Sequence, residues 1–143
     1  MNVSEIAKEL RTTTDTVRYY TRLGLLNPNK GLNGYRSYSL KQKSRLKFIL
    51  SARQLGFTVA DITVILQEAD EGKTACPLVR EIINKRLTET EKQFQQMLQL
   101  RDSMKIALLR WENIEDKSPT PHMVCHLIEQ FGISDNRGRQ NDK

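Results

Sequence analysis

From Leu78 to Lys117 the chain runs forty residues without a glycine or a proline. Such a stretch favours one uninterrupted helix, because both helix breakers and the turn formers that separate strands are missing. Within it a 4-3 spacing picks out Ile83, Leu87, Thr90, Phe94, Met97, Arg101, Met104, Leu108 and Trp111, and seven of these nine are apolar. That period belongs to a coiled-coil seam more than to a helix lying on a globular surface. A core helix of a bundle would carry the same stripe, but the rest of the chain is too short to supply the other bundle helices. The seam therefore needs a second copy of itself. We expect a homodimer through Ile83, Leu87, Phe94, Met97, Met104, Leu108 and Trp111. Parallel and antiparallel arrangements both satisfy the pattern.

Charge divides the molecule differently. Residues 1–53 carry eleven Lys and Arg against three Asp and Glu, whereas residues 54–143 carry twelve against fourteen. The net charge of +6 over 143 residues is thus +8 on the first part and −2 on the second. A basic head on a near-neutral remainder is the electrostatic pattern of a small nucleic-acid-binding domain, although a solvated basic face looks the same. No Gly-rich phosphate loop, nucleophile elbow or HExxH pattern appears, so an enzyme is not expected. No apolar run approaches membrane-spanning length, and Met1-Asn2-Val3-Ser4-Glu5 lacks the apolar core of a secretory signal. With Cys76 and Cys125 as the only cysteines, a disulfide framework is not expected and a reducing cytoplasm is.

The head reads as two short helices. Val3, Ile6, Ala7 and Leu10 recur at i, i+3, i+4, i+7. The polar run Arg11-Thr12-Thr13-Thr14-Asp15 then offers hydroxyl caps for a second helix, from Thr14 to about Leu23, which Gly24 can close. Two helices joined by a tight polar turn form a helix-turn-helix, and the second carries Thr14, Thr16, Arg18, Tyr19, Tyr20 and Arg22, groups suited to base edges and phosphates. The turn formers of Asn27–Gly34 lead into Tyr35-Arg36-Ser37-Tyr38, an alternating segment that reads as the strand of a β-wing. Two further helices follow, one from Leu40 stopped by Gly56 and one capped within Thr58–Asp61. Glu71–Thr74 links them to the long helix; Pro119 and Pro121 close that helix, and His122–Phe131 can form a short last one. The fold class expected is mainly α: a winged helix-turn-helix over residues 1–70, a dimerising coiled-coil helix over 75–117, a C-terminal loop and short helix over 118–131, and a disordered tail over 132–143.

Thr16-Val17-Arg18-Tyr19-Tyr20 and Arg22-Leu23-Gly24-Leu25-Leu26 closely resemble the recognition-helix signature of the MerR family of transcriptional regulators. Tyr35-Arg36-Ser37-Tyr38 resembles its wing, and Leu46-Lys47-Phe48-Ile49 with Leu55–Ile62 the segment beyond it. One departure is Thr21, where the family commonly has an acidic residue. The resemblance implies a homodimer with antiparallel coiled-coil helices on promoter DNA whose spacer is too long, with RNA polymerase at the same promoter. Effector binding then bends and untwists the DNA. It also implies that Arg18 and Tyr19 contact DNA from the recognition helix and Arg36 and Tyr38 from the wing, while Tyr20, equally matched, faces either DNA or the core.

No separate ligand-binding domain follows the long helix, so the effector is expected to be small, or to act on the dimer directly. Cys76 precedes Pro77 at the start of that helix, a position where a thiolate, the form that ligates metals, is favoured. Steps of about 100° per residue place His122, Cys125, His126 and Glu129 on one face of the last helix and Val124, Leu127, Ile128 and Phe131 on the other. This resembles the metal-responsive branch of the family, where a cysteine opening the dimerisation helix joins ligands in the C-terminal loop of the other subunit. That first cysteine is associated there with divalent ions. Members of the branch also carry one or two cysteines just after the long helix, and residues 113–120 have none. A mixed site of Cys76, Cys125 and His122 or His126, holding a zinc-like divalent ion, is therefore the expectation, with Glu129, Glu115 and Asp116 more distant. Two bland or rival readings stand beside it. A lone cysteine is often a buried small hydrophobe, and the same thiols without a metal would suit a redox or electrophile sensor. From another class altogether, a basic head on a coiled coil also fits an architectural nucleic-acid binder.

Overall fold

The computed structural model describes the backbone of residues 1–139 and the side chains of residues 1–132. Among the described residues, six helices and one two-stranded hairpin follow in the order α1 (Val3–Glu9), α2 (Thr14–Arg22), β1 (Asn29–Lys30), β2 (Arg36–Ser37), α3 (Leu40–Gln54), α4 (Val59–Asp70), α5 (Cys76–Trp111) and α6 (His126–Arg139). Each of the first four helices starts on a side-chain cap. Asn2 and Glu5 form a capping box on α1, Thr13 accepts from the Thr16 amide, Ser39 from the Gln42 amide, and Thr58 with Asp61 forms a second capping box. These caps satisfy amides that the helix itself leaves without acceptors. The hairpin is antiparallel, with Asn29 opposite Ser37 and Lys30 opposite Arg36.

Helix ends shape the head as much as the helices do. At the end of α2 the Gly24 amide bonds to the Thr21 carbonyl and the Leu25 amide to the Tyr20 carbonyl, with Gly24 at φ +79°. This left-handed closure turns Leu25 and Leu26 back into the core, where both are buried. The end of α1 closes the same way, the Thr12 amide reaching the Ala7 carbonyl, but the left-handed residue there is Arg11 at φ +55°. A Cβ in that region costs about 1–2 kcal/mol.

Two compact units divide at Glu89 and Thr90, inside α5. In the first, Ile6, Val17, Tyr20, Leu26, Tyr38, Leu46, Ile49, Phe57, Ile62 and Ile65 form one buried core. Ala75, Leu78, Val79, Ile82 and Ile83 pack against it, so the first turns of α5 are part of the head. Polar contacts fix the same junction. Arg86 donates from Nε and Nη2 to the two carboxylate oxygens of Asp61 at 2.8 Å each, and from Nη1 to Glu89 at 2.6 Å. Asp61 Oδ2 also accepts the Thr58 amide at 2.9 Å, so one carboxylate caps α4 and ties it to α5. Hydrogen bonding by Arg86 holds the Asp61 carboxyl well below the ordinary aspartate range, against a smaller opposing effect of burial. In the second unit α6 packs on the end of α5: Trp111 and Phe131 meet edge to face at 6.1 Å between ring centroids, and the Arg110 guanidinium lies 5.4 Å over Phe131. Among the described residues no helix is long and apolar enough to cross a membrane.

The last helix departs from expectation at both ends. It starts at His126, not His122, because Pro121 sits in a turn in which Thr120 and Met123 exchange backbone hydrogen bonds at 2.9 and 3.3 Å. It runs on to Arg139, past Phe131, through residues that include no proline; of the tail expected over 132–143, residues 140–143 lie outside the described residues.

Two outcomes follow. Replacing Arg11 by glycine relieves the left-handed strain and is expected to raise unfolding free energy by about 1 kcal/mol, read by denaturant titration. An unchanged or lower stability counts against that account. For Asp61, a folded pKa below the unfolded one means stability fully present above the ordinary value of 3.8 and lost as pH falls through the depressed value. Asp61→Asn is expected to be less stable than the parent at neutral pH, with the gap closing below pH 3.8; a gap independent of pH contradicts it.

Candidate nucleic-acid interface and C-terminal thiol residues

The amphipathic pattern of α2 decides which of its side chains reach solvent. Val17 and Tyr20 are buried on the inner face, while Arg18 and Tyr19 stand on the outer one, Tyr19 43 % exposed. Arg18 is steered rather than locked: Nη1 donates to Thr14 Oγ1 at 3.3 Å and lies 3.5 Å from the Asp15 carboxylate. Thr16 shares a 2.8 Å hydroxyl contact with the cap residue Thr13. Across a cleft of about 250 Å³ stand Tyr35 and Arg36 of the wing, and Arg18, Asn2, Val3, Gly34 and Tyr38 complete its lining. The cleft thus brings two guanidinium groups from separate elements to one concave surface, a geometry suited to a phosphodiester.

The structure redirects two residues expected at DNA. Tyr20 takes the core alternative, 6 % exposed and edge-on to Tyr19 at 5.2 Å. Tyr38 is 1 % exposed, so its ring belongs to the core and not to the DNA-facing surface. Alternation along a strand would put Tyr38 on the same face as Arg36, but β2 ends at Ser37 and the chain turns in to begin α3 at the Ser39 cap. The aromatic that does face outward is Tyr35, 77 % exposed. Tyr35 belongs to the same wing motif, and its position beside the Gly34 turn, at φ +75°, was the available signal for its outward face.

The seam residues divide as well. Leu87, Phe94, Met97, Met104 and Leu108 are all more than half exposed on α5. Ile83 packs against the head core and Trp111 against Phe131, so each already has a partner within the chain.

Of the thiol and imidazole groups, Cys76 is the first residue of α5 and is exposed. It borders an apolar cleft of about 600 Å³ with Phe48, Ile65, Leu66 and Val79 among its walls. Cys125 is partly buried just ahead of α6. The shared face expected for His122, Cys125, His126 and Glu129 does not form, because only the last two lie in the helix. His122 is exposed in the preceding turn, its amide 3.2 Å from Thr120 Oγ1. Glu129 turns back and accepts the Cys125 amide at 2.9 Å and the Val124 amide at 3.4 Å, capping α6. On the opposite side Leu127 is partly buried but Val124 and Ile128 are exposed. His126 is 5 % exposed, and its Nε2 is buried with no hydrogen-bond partner. Among the described residues of one chain, no three Cys, His, Asp or Glu side chains converge as a metal site.

Comparison with known proteins accounts for the head. Residues 1–69 match the model of the MerR HTH family regulatory proteins, and residues 43–106 match the model described as MerR, DNA binding. The HTH-type transcriptional regulator HmrR of Rhizobium leguminosarum bv. viciae is 32 % identical over 104 residues, 73 % of this chain and 81 % of the relative. A probable heavy metal-dependent transcriptional regulator of Haemophilus influenzae is 33 % identical over 98 residues, 68 % of this chain and 77 % of the relative. Among solved structures, a cryo-EM EcmrR–DNA complex in EcmrR-RPo superposes with a TM-score of 0.64 at 32 % identity, covering 78 % of this chain and 40 % of that one. These relatives are regulators, not enzymes. With its mainly α winged helix-turn-helix head and long helix, this chain belongs to the MerR family of DNA-binding transcriptional regulators.

Proposed function

We propose that the protein is a homodimeric regulator that distorts promoter DNA in response to a divalent metal ion held between its subunits. The observation that carries the DNA half is the pairing of Arg18 on α2 with Arg36 on the wing across one cleft, with Tyr19 and Tyr35 exposed beside them. A helix entering the major groove places Arg18, Tyr19, Thr14 and Thr16 near base edges and phosphates, while Arg36 and Tyr35 follow the adjacent backbone. The exposed apolar residues Leu87, Phe94, Met97, Met104 and Leu108 supply the dimer contact. Two heads on one pair of helices can favour a bent, untwisted spacer over a straight one, and an effector that binds the bending state more tightly shifts that equilibrium. RNA polymerase then meets promoter elements in a changed alignment. Such a protein works in the cytoplasm.

For the effector, the donor chemistry fits a borderline divalent ion. Cys76 and Cys125 offer thiolates, and His126 offers a buried imidazole whose Nε2 lacks a partner. An unsatisfied buried nitrogen is costly unless something at the site engages it. As the resemblance to the metal-responsive branch implies, a shared site draws Cys76 from one subunit and Cys125 with His126 from the other. His122, exposed in its turn, is the reserve ligand. The ion would supply a charge-dense crosslink between subunits, with proton release as the thiols bind. The chain's own part is to hold Cys125 in place through Glu129 and to present Cys76 on the first turn of a helix packed against the head. That the Haemophilus relative is a probable heavy metal-dependent transcriptional regulator supports this reading.

Reduced protein equilibrated with buffered zinc, cadmium or cobalt is expected to retain about one divalent ion per subunit. Cys76→Ser and Cys125→Ser should each abolish retention. No retained metal, with both variants indistinguishable from the parent, overturns metal sensing and leaves thiol oxidation to be tested with peroxide. For the DNA half, Arg18→Ala is expected to weaken binding to a duplex selected from a randomised pool by about 1–3 kcal/mol, measured as fluorescence anisotropy. Parent-like affinity and selectivity would remove Arg18 from the interface.

A further inference from the structure

The wing has almost no structure of its own. Its strands are two residues each, all four residues are exposed, and the turn between them is closed by the Gly31 amide on the Tyr35 carbonyl at 2.9 Å. What fixes its direction must come from its ends. At the end of β2 stands Tyr38, 1 % exposed, whose amide donates to the Met1 carbonyl and whose carbonyl accepts from the Met1 amino group at 3.1 Å. Its phenol oxygen lies 2.8 Å from Thr21 Oγ1, on the recognition helix. Thr21 Oγ1 lies 2.8 Å from the Val17 carbonyl, to which it donates. Since a threonine hydroxyl has one proton and it is already given to Val17, the phenol must be the donor to Thr21. The result is a directed chain from the wing to the backbone of α2, ending one residue from Arg18.

The geometry points to Tyr38 and Thr21 as positioning residues: the phenol–hydroxyl bond latches the wing to the recognition helix and so sets Arg36 at the distance from Arg18 that a DNA backbone requires. Both arginines line the same cleft, and Tyr38 is the residue that joins its wing side to its helix side. This inference rests on the reading of Arg36 as a phosphate contact. It also gives a role to Thr21, the position at which the recognition motif departs from its family. A short neutral hydroxyl there accepts the phenol proton while staying bonded to its own helix.

Tyr38→Phe tests this with little disturbance, because it removes the donor, leaves Thr21 bonded to Val17, and keeps the buried ring. Binding to the selected duplex is measured across a salt series for the parent, Tyr38→Phe, Arg36→Ala, the double variant and Thr21→Ser, with thermal melts alongside. If the latch works, Tyr38→Phe binds about fivefold more weakly, its log K against log salt slope is shallower by about 0.9, and Arg36→Ala removes no further slope from it. Thr21→Ser, which keeps the hydroxyl, should retain the parent slope. A parent-like slope in Tyr38→Phe while Arg36→Ala lowers it overturns the latch alone. An Arg36→Ala slope equal to the parent's overturns the wing contact, and the latch with it. A slope change in Tyr38→Phe that comes only with loss of folded protein in the melt counts as overturning too.

Discussion

Asp61 and Arg86 meet where three demands coincide. The first turn of α4 needs an acceptor for its cap amide, the first turns of α5 need an anchor beyond apolar contact, and a carboxylate with little solvent access needs a cation. One bidentate pair meets all three. An isolated buried ion pair often contributes little net stability, since desolvation offsets attraction. Its value here is directional. Apolar packing by Leu78, Val79, Ile82 and Ile83 brings the helix to the head, but such packing tolerates sliding. Two parallel N–H···O bonds do not, and they fix the rotation and register of the first part of α5, as far as Arg86, within the DNA-reading unit.

That junction also bears on the proposed coupling between effector and DNA geometry. Cys76 lies on the first turn of α5, and Ala75 beside it packs against the head core. A ligand engaging Cys76 therefore acts on an element whose neighbours already belong to the DNA-binding unit. No long pathway through the protein is needed, because the element is shared. Coupling of this kind requires only that the two DNA geometries favour different placements of α5, and that the ligand binds one better than the other.

Much of this was legible in the residues. The helix-turn-helix, its hydroxyl caps, Gly24 as the closing residue and the existence of a long helix follow from periodicity and turn chemistry, which are local, although α5 ends at Trp111, short of Lys117 and the prolines expected to close it. Features decided by distant contacts were not. Tyr38 reads as an outward strand residue until the strand is seen to end at Ser37, and its inward turn depends on Met1 and Thr21, far away in sequence. Ile83 fits the heptad pattern as well as Leu87 does, yet the head claims it. At the C-terminus, a face drawn through His122, Cys125, His126 and Glu129 presumes a helix that Pro121 and the Thr120–Met123 turn delay. Periodicity says which residues would share a face; it does not say where the helix begins.

Within the first unit α5 carries both the head-packing residues, as far as Ile83 and Arg86, and the first of its exposed apolar residues, Leu87. A single residue inserted or deleted between Arg86 and Leu87 would turn Leu87 by about 100° relative to Ile83 and Arg86 while leaving the Asp61 contact in place. Change by a whole heptad would turn it by only about 20°. That register thus tolerates a length change of seven residues where it does not tolerate a change of one.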